Sequence, residues 1–291
     1  MSVVAAVVRH IRTRGVASLA RSVRSRGLDA AYRLAFHVRN RVRGGSPVTL
    51  QVAGLQLNLT PRGTTAFIAW SGLGHEAAEL EFAASLVGPE SVILDVGANA
   101  GLYALTFAGK GRALGGAPTV FAVEPCSGTF SLLLENIALN GMTGIRPLRL
   151  ALSDRPGKAL LHLNRPGLDG LNTLGVPVYG SVGTEVVPVE TVDRVLEKEE
   201  LLERVDLIKA DIEGAELLML RGAHATLSRW PDRPVIVYES NPSAARGFGY
   251  RPSEIVRLLA RYGYRVTTLD GAPCDPDARD YALLVARKTR G

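Results

Sequence analysis

The sequence predicts an α/β fold whose doubly wound, mostly parallel sheet has seven strands. Seven apolar runs of strand length follow residue 91, and helical patterns over 127–139, 213–227 and 253–262 help to separate them. Alternation of strands and helices is typical of a parallel sheet with helices on both faces. No helix separates the last two runs, so we expect one of them to pair antiparallel at the sheet edge. The strand candidates are 92–95, 120–124, 145–150, 205–210, 235–239, 264–269 and 281–286.

Three regions are expected along the chain. Residues 1–47 predict a basic helical N-terminal arm, and residues 48–90 predict a β-hairpin followed by a helix over about 75–87. Residues 91–291 predict the main α/β domain. Within it, residues 155–190 interrupt the strand–helix alternation with short alternating runs and many Gly and Pro residues, which indicates an insertion near the sheet.

Positive charge is concentrated at the start of the sequence. The chain has a net charge of +6, yet residues 1–43 alone contain ten arginines and one acidic residue, so the remainder is slightly acidic. We expect an arginine-solvated helical arm that packs on the main domain. The alternatives are contact with an anionic membrane surface, contact with a nucleic acid or another polyanion, and a cleaved transit peptide.

Composition argues against several classes of protein. The two cysteines, Cys126 and Cys274, are far apart and lack the paired spacing of a zinc site, which favours a reducing compartment. No apolar run approaches the roughly 20 residues of a membrane span, and the first residues lack the pattern of a secretory signal. We therefore expect a cytoplasmic protein, with peripheral membrane contact through the basic arm as an option.

A glycine-containing turn follows the first strand candidate of the main domain, in VILDVGANAG. Its pattern, D-x-G-x-N-x-G, consists of Asp95, Gly97, Asn99 and Gly101. Ligands of doubly wound sheets bind beyond the carboxyl ends of the strands, so this turn is placed for a ligand. In a dinucleotide fingerprint, the position of Asn99 is a glycine that lets a pyrophosphate approach closely. The pattern therefore favours a nucleoside without a diphosphate over a nicotinamide dinucleotide.

An acidic residue ends the next strand candidate. Glu124, in VFAVEP, can accept hydrogen bonds from both hydroxyls of a ribose. Asp95 can hold a cationic amine, either directly or through water. A ribose and an ammonium group without a phosphate describe S-adenosylmethionine better than a nicotinamide cofactor.

Five segments, within about residues 85–270, together resemble the FkbM family of class I methyltransferases. They are VILDVGANAGLYAL, FAVEPCSGTFSLLLENIALNG, ALSDRPG, VDLIKADIEGAELLMLRGA and VIVYESNP. The resemblance implies a Rossmann-like sheet that binds S-adenosylmethionine, and methyl transfer to hydroxyls of glycans, polyketides or other secondary metabolites. The cofactor-binding residues predicted on this basis are Asp95, Gly97, Asn99, Gly101, Glu124 and, beside the adenine, Ser153.

A lysine and several acidic residues follow the fourth and fifth strand candidates, where an acceptor would meet the methyl group. On a strand, Lys209 and Asp211 point to the same face, so the lysine is either neutralised by the aspartate or desolvated towards a base. A hydroxyl must lose its proton as it attacks, which makes Lys209, Asp211 and Glu239 the candidate catalytic residues. A Lys–Asp pair that only braces the strand end is the alternative.

A metal-assisted reaction is a further alternative. Asp211, Glu213 and Glu239 could bind a divalent cation such as Mg²⁺ through oxygen ligands. Such a cation would lower the pKa of an acceptor hydroxyl and orient it. We do not favour this arrangement, because three acidic residues near a strand edge need not converge on one point.

The sequence thus predicts an S-adenosylmethionine-dependent O-methyltransferase that acts on a hydroxyl of a sugar, a glycan or a secondary metabolite. It lacks an Asn-Pro-Pro-Tyr/Phe motif after the fourth strand candidate, which disfavours methylation of nucleobase amino groups. An RNA methyltransferase stays an alternative because of the basic arm, and so does a non-catalytic binding or scaffold protein that retains the fold.

Overall fold

A computed structural model describes residues 48–60, 76–165, 168–201, 204–277 and 282–289. The arm predicted over residues 1–47 lies outside these ranges. No helix in the described part of the chain is long and apolar enough to cross a membrane.

Twenty helices and strands follow one another in the described ranges. They are β1 (Val48–Val52), β2 (Leu55–Leu59), α1 (Glu76–Ser85), β3 (Val92–Val96), α2 (Leu102–Ala113), β4 (Thr119–Val123), α3 (Ser127–Leu139), β5 (Ile145–Leu148), β6 (Ala151–Leu152), β7 (Gly157–Leu163), β8 (Gly183–Glu190), α4 (Val192–Lys198), β9 (Val205–Ala210), α5 (Glu216–Arg221), α6 (His224–Arg229), β10 (Val235–Ser240), α7 (Pro242–Arg246), α8 (Ser253–Ala260), β11 (Tyr264–Thr268) and β12 (Ala282–Lys288). A short 3-10 helix lies between β7 and β8, at Asp169–Leu171.

Seven strands form the central sheet, in the order β11-β12-β10-β9-β3-β4-β5. Strands β10, β9, β3, β4 and β5 run parallel to one another, and β12 runs antiparallel to both β10 and β11. The predicted seven-stranded, mostly parallel and doubly wound sheet is therefore confirmed. The antiparallel strand lies one position inside the edge, because β11 occupies the edge itself. The strand order reverses between β3 and β9, where doubly wound folds bind their ligands.

Apolar side chains cover both faces of this sheet. All five residues of β3 are buried, as is typical of a strand with helices on both sides. Leu94 belongs to a buried cluster with side chains of α4, α5 and α8. Its neighbour Ile93 points to the opposite face and belongs to a cluster with α1, α2 and α3. The two layers fix the carboxyl end of β3 at the centre of the molecule.

The predicted hairpin consists of β1 and β2, and two asparagines of α3 attach it to the main domain. The buried Asn136 amide accepts from the Asn58 backbone N–H and donates to the Asn58 and Ala100 carbonyls. Asn140 makes the same two-way contact with the backbone of Gln56. These amides satisfy backbone groups that an unpaired strand edge would leave open.

The insertion predicted over 155–190 contributes β7 and β8 to a second, three-stranded sheet in the order β6-β8-β7. The strand predicted over 145–150 is shorter than expected, because the chain leaves the central sheet after β5 and β6 pairs with β8 instead. The helix predicted over 213–227 is two helices, α5 and α6. Gly222 separates them and packs against the Ser153 carbonyl, which a Cβ atom would approach to 2.1 Å.

Candidate functional site

A cavity of about 590 Å³ lies at the carboxyl ends of the parallel strands. Its volume is in the range of small-molecule sites, which is about 300–1,000 Å³. The turn after β3, the loops after β4, β5 and β9, the end of β10 and the insertion all contribute to its wall. The polar residues among those that line it are Glu76, Asn99, Tyr103, Glu124, Thr129, Asn164, Asn172, Thr173, Tyr179, Lys209, Asp211, Glu213, Glu239, Asn241 and Ser243.

The predicted glycine turn contributes backbone to this cavity, and its glycines also allow chain segments to pack closely. Gly97 has φ +80°, and a Cβ atom there would lie 1.9 Å from the Asp211 carbonyl oxygen. Gly101 has φ +95°, and its Cβ atom would lie 2.8 Å from the Leu133 side chain. Gly97 and Asn99 line the cavity, whereas Gly101 supports the turn from behind.

Glu124 presents a buried carboxylate to the cavity. Its two oxygens accept hydrogen bonds from the backbone N–H groups of Asn99, at 3.1 Å, and Cys126, at 2.9 Å. Burial raises the pKa of Glu124 to about 7, although both of these hydrogen bonds lower it. A carboxylate has about four acceptor positions, so it retains the capacity to accept from ribose hydroxyls.

Asp95 lies behind the cavity wall, where it meets Lys209. Asp95 is fully buried, and the Lys209 Nζ atom lies 3.6 Å from Asp95 Oδ1 and 3.6 Å from Asp211 Oδ2. Nζ also lies 4.5 Å from the ring centroid of Tyr103, within reach of a cation–π interaction. Burial alone would lower the pKa of Lys209, but the charges of Asp211 and Asp95 outweigh it and raise that pKa. Lys209 is therefore a buried cation at neutral pH and cannot serve as the base.

The three other predicted acidic residues converge beside this lysine. Asp211, Glu213 and Glu239 each offer a carboxylate oxygen, and these oxygens lie within 4.8 Å of one another. Burial and the charge of Asp211 raise the pKa of Glu213 to about 9 and that of Glu239 well above its usual range. Burial thus favours the protonated form of both Glu213 and Glu239. The side chain of Asp211 is 43% exposed and is the most open of the three to the cavity.

Comparison with known proteins identifies the family of the chain. A family model described as the methyltransferase FkbM domain matches residues 95–266. The chain belongs to the FkbM methyltransferase family. Methyltransferase sdnD of Sordaria araneosa is 30% identical over 226 residues, which cover 67% of this chain and 81% of that protein. The chain is therefore an S-adenosylmethionine-dependent methyltransferase.

This chain is also similar to solved structures of methyltransferases. The FkbM methyltransferase of Methylobacillus flagellatus KT is 16% identical with a TM-score of 0.43, over 69% of this chain and 44% of that one. This chain thus spans less than half the length of that protein. The SAM-dependent methyltransferase of Agrobacterium tumefaciens is 14% identical with a TM-score of 0.46, over 85% of this chain and 71% of that one.

Two residues that sequence reasoning did not single out shape the loop after β9 of this FkbM methyltransferase. The buried Glu216 carboxylate accepts from the backbone N–H groups of Ile212, at 3.0 Å, and Gly214, at 3.4 Å. The Tyr250 hydroxyl donates to the Gly214 carbonyl at 2.9 Å. Glu213, which lies between Ile212 and Gly214, adopts φ +53°, a left-handed conformation that is uncommon for a residue other than glycine. A glutamate in the first turn of a helix is a known capping signal, and the segment EGAE carries it.

Three of the predicted cofactor-binding residues, Asp95, Gly101 and Ser153, are not among those that line the cavity. Ser153 makes its contacts elsewhere. Its hydroxyl lies 3.3 Å from Asp154, and its backbone N–H donates to the Glu190 carbonyl. The two residues before it, Ala151 and Leu152, line the cavity instead. They form β6, whose pairing with β8 turns Ser153 away from the expected adenine position.

Proposed function

We propose that this FkbM methyltransferase transfers a methyl group to a hydroxyl of a small molecule, such as a sugar, a glycan or another secondary metabolite. The observation that carries the proposal is the setting of Asp211. Its side chain is 43% exposed and lines the cavity beside the buried Lys209 and two carboxyl groups whose pKa values burial raises. A hydroxyl that enters the cavity would therefore meet the Asp211 carboxylate, which we propose takes its proton.

The turn after β3 and the end of β4 would hold the cofactor in the same cavity. Gly97 and Asn99 would hold it through their backbone, and Glu124 would accept hydrogen bonds from its ribose hydroxyls. Asp95 and Gly101 do not line the cavity. Asp95 would support the site through its ion pair with Lys209, and Gly101 through close packing of the turn after β3. When bound, S-adenosylmethionine supplies a methyl group on a sulfonium centre, which is already a good leaving group. The chain's own task is thus to align the acceptor and to receive a proton.

The residues beside Asp211 then have distinct tasks. Asp211 would accept the proton that the acceptor hydroxyl releases on methylation, and the methyl–sulfur bond of the bound cofactor would be the bond that breaks. Lys209 keeps its own proton and holds Asp211 in place. Glu213 and Glu239, as protonated acids, can donate hydrogen bonds that orient the acceptor oxygen.

The divalent-cation alternative uses the same carboxylates. The convergence within 4.8 Å that it requires is present. The raised pKa values of Glu213 and Glu239 and the charge of Lys209 reduce the negative charge of the cluster without a cation, so we propose the proton-transfer reaction. Transfer assays with added Mg²⁺ and with a chelator separate the two mechanisms, because only the alternative predicts that the chelator abolishes transfer.

The decisive experiment removes the proposed base. Asp211→Asn is assayed with methyl-labelled S-adenosylmethionine and a panel of hydroxyl compounds, and binding of S-adenosylhomocysteine is measured by calorimetry. We expect Asp211→Asn to bind S-adenosylhomocysteine with an affinity similar to that of the unaltered protein. We expect its methyl transfer to fall about 100-fold or more. Asp154→Asn, an exposed aspartate outside the cavity, is the matched control and should transfer normally. Unchanged transfer in Asp211→Asn refutes the proposed base, and absence of binding in the unaltered protein revives the scaffold alternative.

A further inference from the structure

We infer that the acceptor is an uncharged molecule with an apolar body, held by a rim of Val176, Val178 and Tyr179 at the mouth of the cavity. The inference rests on the proposed function, since it names the acceptor class of the same cavity.

The rim exposes an unusual amount of apolar surface within four residues. Val176 is 72% exposed, Val178 51% and Tyr179 67%, and all three also line the cavity. Scattered exposed apolar side chains need no explanation, but a contiguous group beside a cavity marks a binding surface. Leu171 and Leu174 line the same cavity and continue this apolar wall inward. An apolar body on the rim would thus place its hydroxyl near the carboxylates.

Contacts at the start of the rim attach it to neighbouring loops. The Val176 N–H donates to the Gly247 carbonyl at 3.1 Å, just after α7. Gly175 lies so close to the Phe248 ring that a Cβ atom would stand 2.5 Å from it. The Thr173 hydroxyl donates to the Glu213 carbonyl at 2.9 Å. The segment is therefore tied to the loop after β9, and its apolar side chains stand exposed.

The charges of the cavity disfavour phosphate-bearing acceptors. Among the described residues that line it, Lys209 is the one basic side chain, and Asp95 and Asp211 already flank its ammonium group. Phosphate recognition generally uses arginine, lysine or helix N-termini with free donors. A nucleotide, a nucleic acid or a sugar phosphate would bring more negative charge towards Asp211. An uncharged acceptor avoids this repulsion.

The test measures binding of an apolar probe and does not depend on methyl transfer. Nile red, an uncharged dye whose fluorescence rises in apolar surroundings, is titrated into the full chain with and without S-adenosylhomocysteine. The rim variant combines Val176→Ser, Val178→Ser and Tyr179→Ser. The matched control combines Leu160→Ser, Val182→Ser and Val186→Ser, three apolar residues that are 53%, 69% and 61% exposed and do not line the cavity.

We expect the dye to bind the unaltered protein and the control alike, and the rim variant at least about tenfold more weakly. Straight-chain alkan-1-ols from butanol to octanol should displace the dye, each added methylene tightening competition about two- to fourfold. Glucose 6-phosphate should not compete.

Three results would overturn the inference: no dye binding to the unaltered protein, equal binding to the rim variant, or competition by glucose 6-phosphate as strong as that by octanol. One further result would bear on the proposed O-methyl transfer alone. If the dye and the alkanols bind as expected but no hydroxyl compound is ever methylated, O-methyl transfer is refuted and the apolar site stands.

Discussion

Asp95 and Lys209 occupy paired positions on the adjacent parallel strands β3 and β9, and the ammonium nitrogen of Lys209 lies 3.6 Å from Asp95 Oδ1. Both side chains are buried, and burial raises the pKa of Asp95 although the charge of Lys209 lowers it. The lysine is therefore the compensation for the buried carboxylate. The same lysine contacts Asp211, so this one cation links the turn after β3 to the loop after β9.

Removal of the lysine charge should destabilise the fold. Lys209→Met keeps most of the side-chain volume but leaves Asp95 buried without a partner, which typically costs about 3–5 kcal/mol. Asp95→Asn in the same chain should recover part of this loss, because the buried charge disappears as well. Unfolding in urea measures both changes. Lys198→Met, which removes a surface ion pair with Glu190, should cost less than about 1 kcal/mol. Equal losses of unfolding free energy in Lys209→Met and Lys198→Met would contradict the conclusion that Lys209 compensates the buried charge of Asp95.

The close approach at Gly97 predicts a substitution effect beyond backbone strain. Gly97 and Gly115 have the same φ, +80°, but a Cβ atom on Gly115 meets nothing within 4 Å, whereas one on Gly97 meets the Asp211 carbonyl oxygen at 1.9 Å. Gly115→Ala should therefore cost about 1–2 kcal/mol, the strain of a left-handed alanine. Gly97→Ala must also separate the ends of β3 and β9. We expect a larger loss of stability and at least a tenfold loss of affinity for S-adenosylhomocysteine, measured by calorimetry.

Affinity that stays unchanged in Gly97→Ala would show that the turn tolerates this separation. It would then contribute to the cofactor site less than the geometry indicates.

Local patterns were sufficient to predict most of the sheet. The strand predicted over 205–210 and the helix predicted over 127–139 match β9 and α3 at both ends, because apolar periodicity and flanking breakers define them locally. The acidic residue at the end of the second strand candidate likewise predicted Glu124 as a site residue, and Glu124 does line the cavity. These features depend on residues close together in sequence.

Features that depend on the third dimension were not predicted. The order of residues does not reveal that Asp95 contacts Lys209, which is distant in sequence, or that Asp95 does not line the cavity. Ser153 leaves the cavity because β6 pairs with β8, a contact between segments more than 30 residues apart. Glu216 acquires its role from the loop that folds over its carboxylate, which the helical pattern alone does not reveal.

The burial of Glu124 predicts a pH-dependent cofactor affinity. Its pKa is about 7, raised by burial, so the free protein carries a mixture of protonated and ionised Glu124 near neutral pH. Ribose hydroxyls would donate to the ionised form, so binding should strengthen as pH rises through 7. If only that form binds, affinity for S-adenosylhomocysteine should rise about tenfold between pH 6 and pH 8. Calorimetry across this range measures it.

Glu124→Gln is the control for this titration. Its amide cannot ionise in this range, so it should bind the product more weakly and without the rise in affinity. A rise that persists in Glu124→Gln would assign the titration to another buried acid, such as Glu76, whose pKa burial also raises to about 7.

Glu216 predicts how stability responds to pH. Burial raises its pKa in the folded chain from 4.5 to about 7, despite the backbone hydrogen bonds that lower it. Between these two values the folded state holds a proton that the unfolded state has lost, so the free energy of unfolding falls as pH rises through this window. The contribution of Glu216 is complete below about pH 4.5 and is lost above about pH 7, a change of up to about 3 kcal/mol.

Glu216→Gln removes this titration but keeps an oxygen that can accept from Ile212 and Gly214. In urea unfolding the variant should therefore show a shallower decline in stability between pH 5 and pH 7, and should be more stable than the unaltered protein at pH 8. Glu197→Gln, at an exposed position of α4, should leave the slope unchanged. A steeper decline in Glu216→Gln would mean that ionised Glu216 stabilises the loop after β9, so that its hydrogen bonds outweigh the cost of burying its charge.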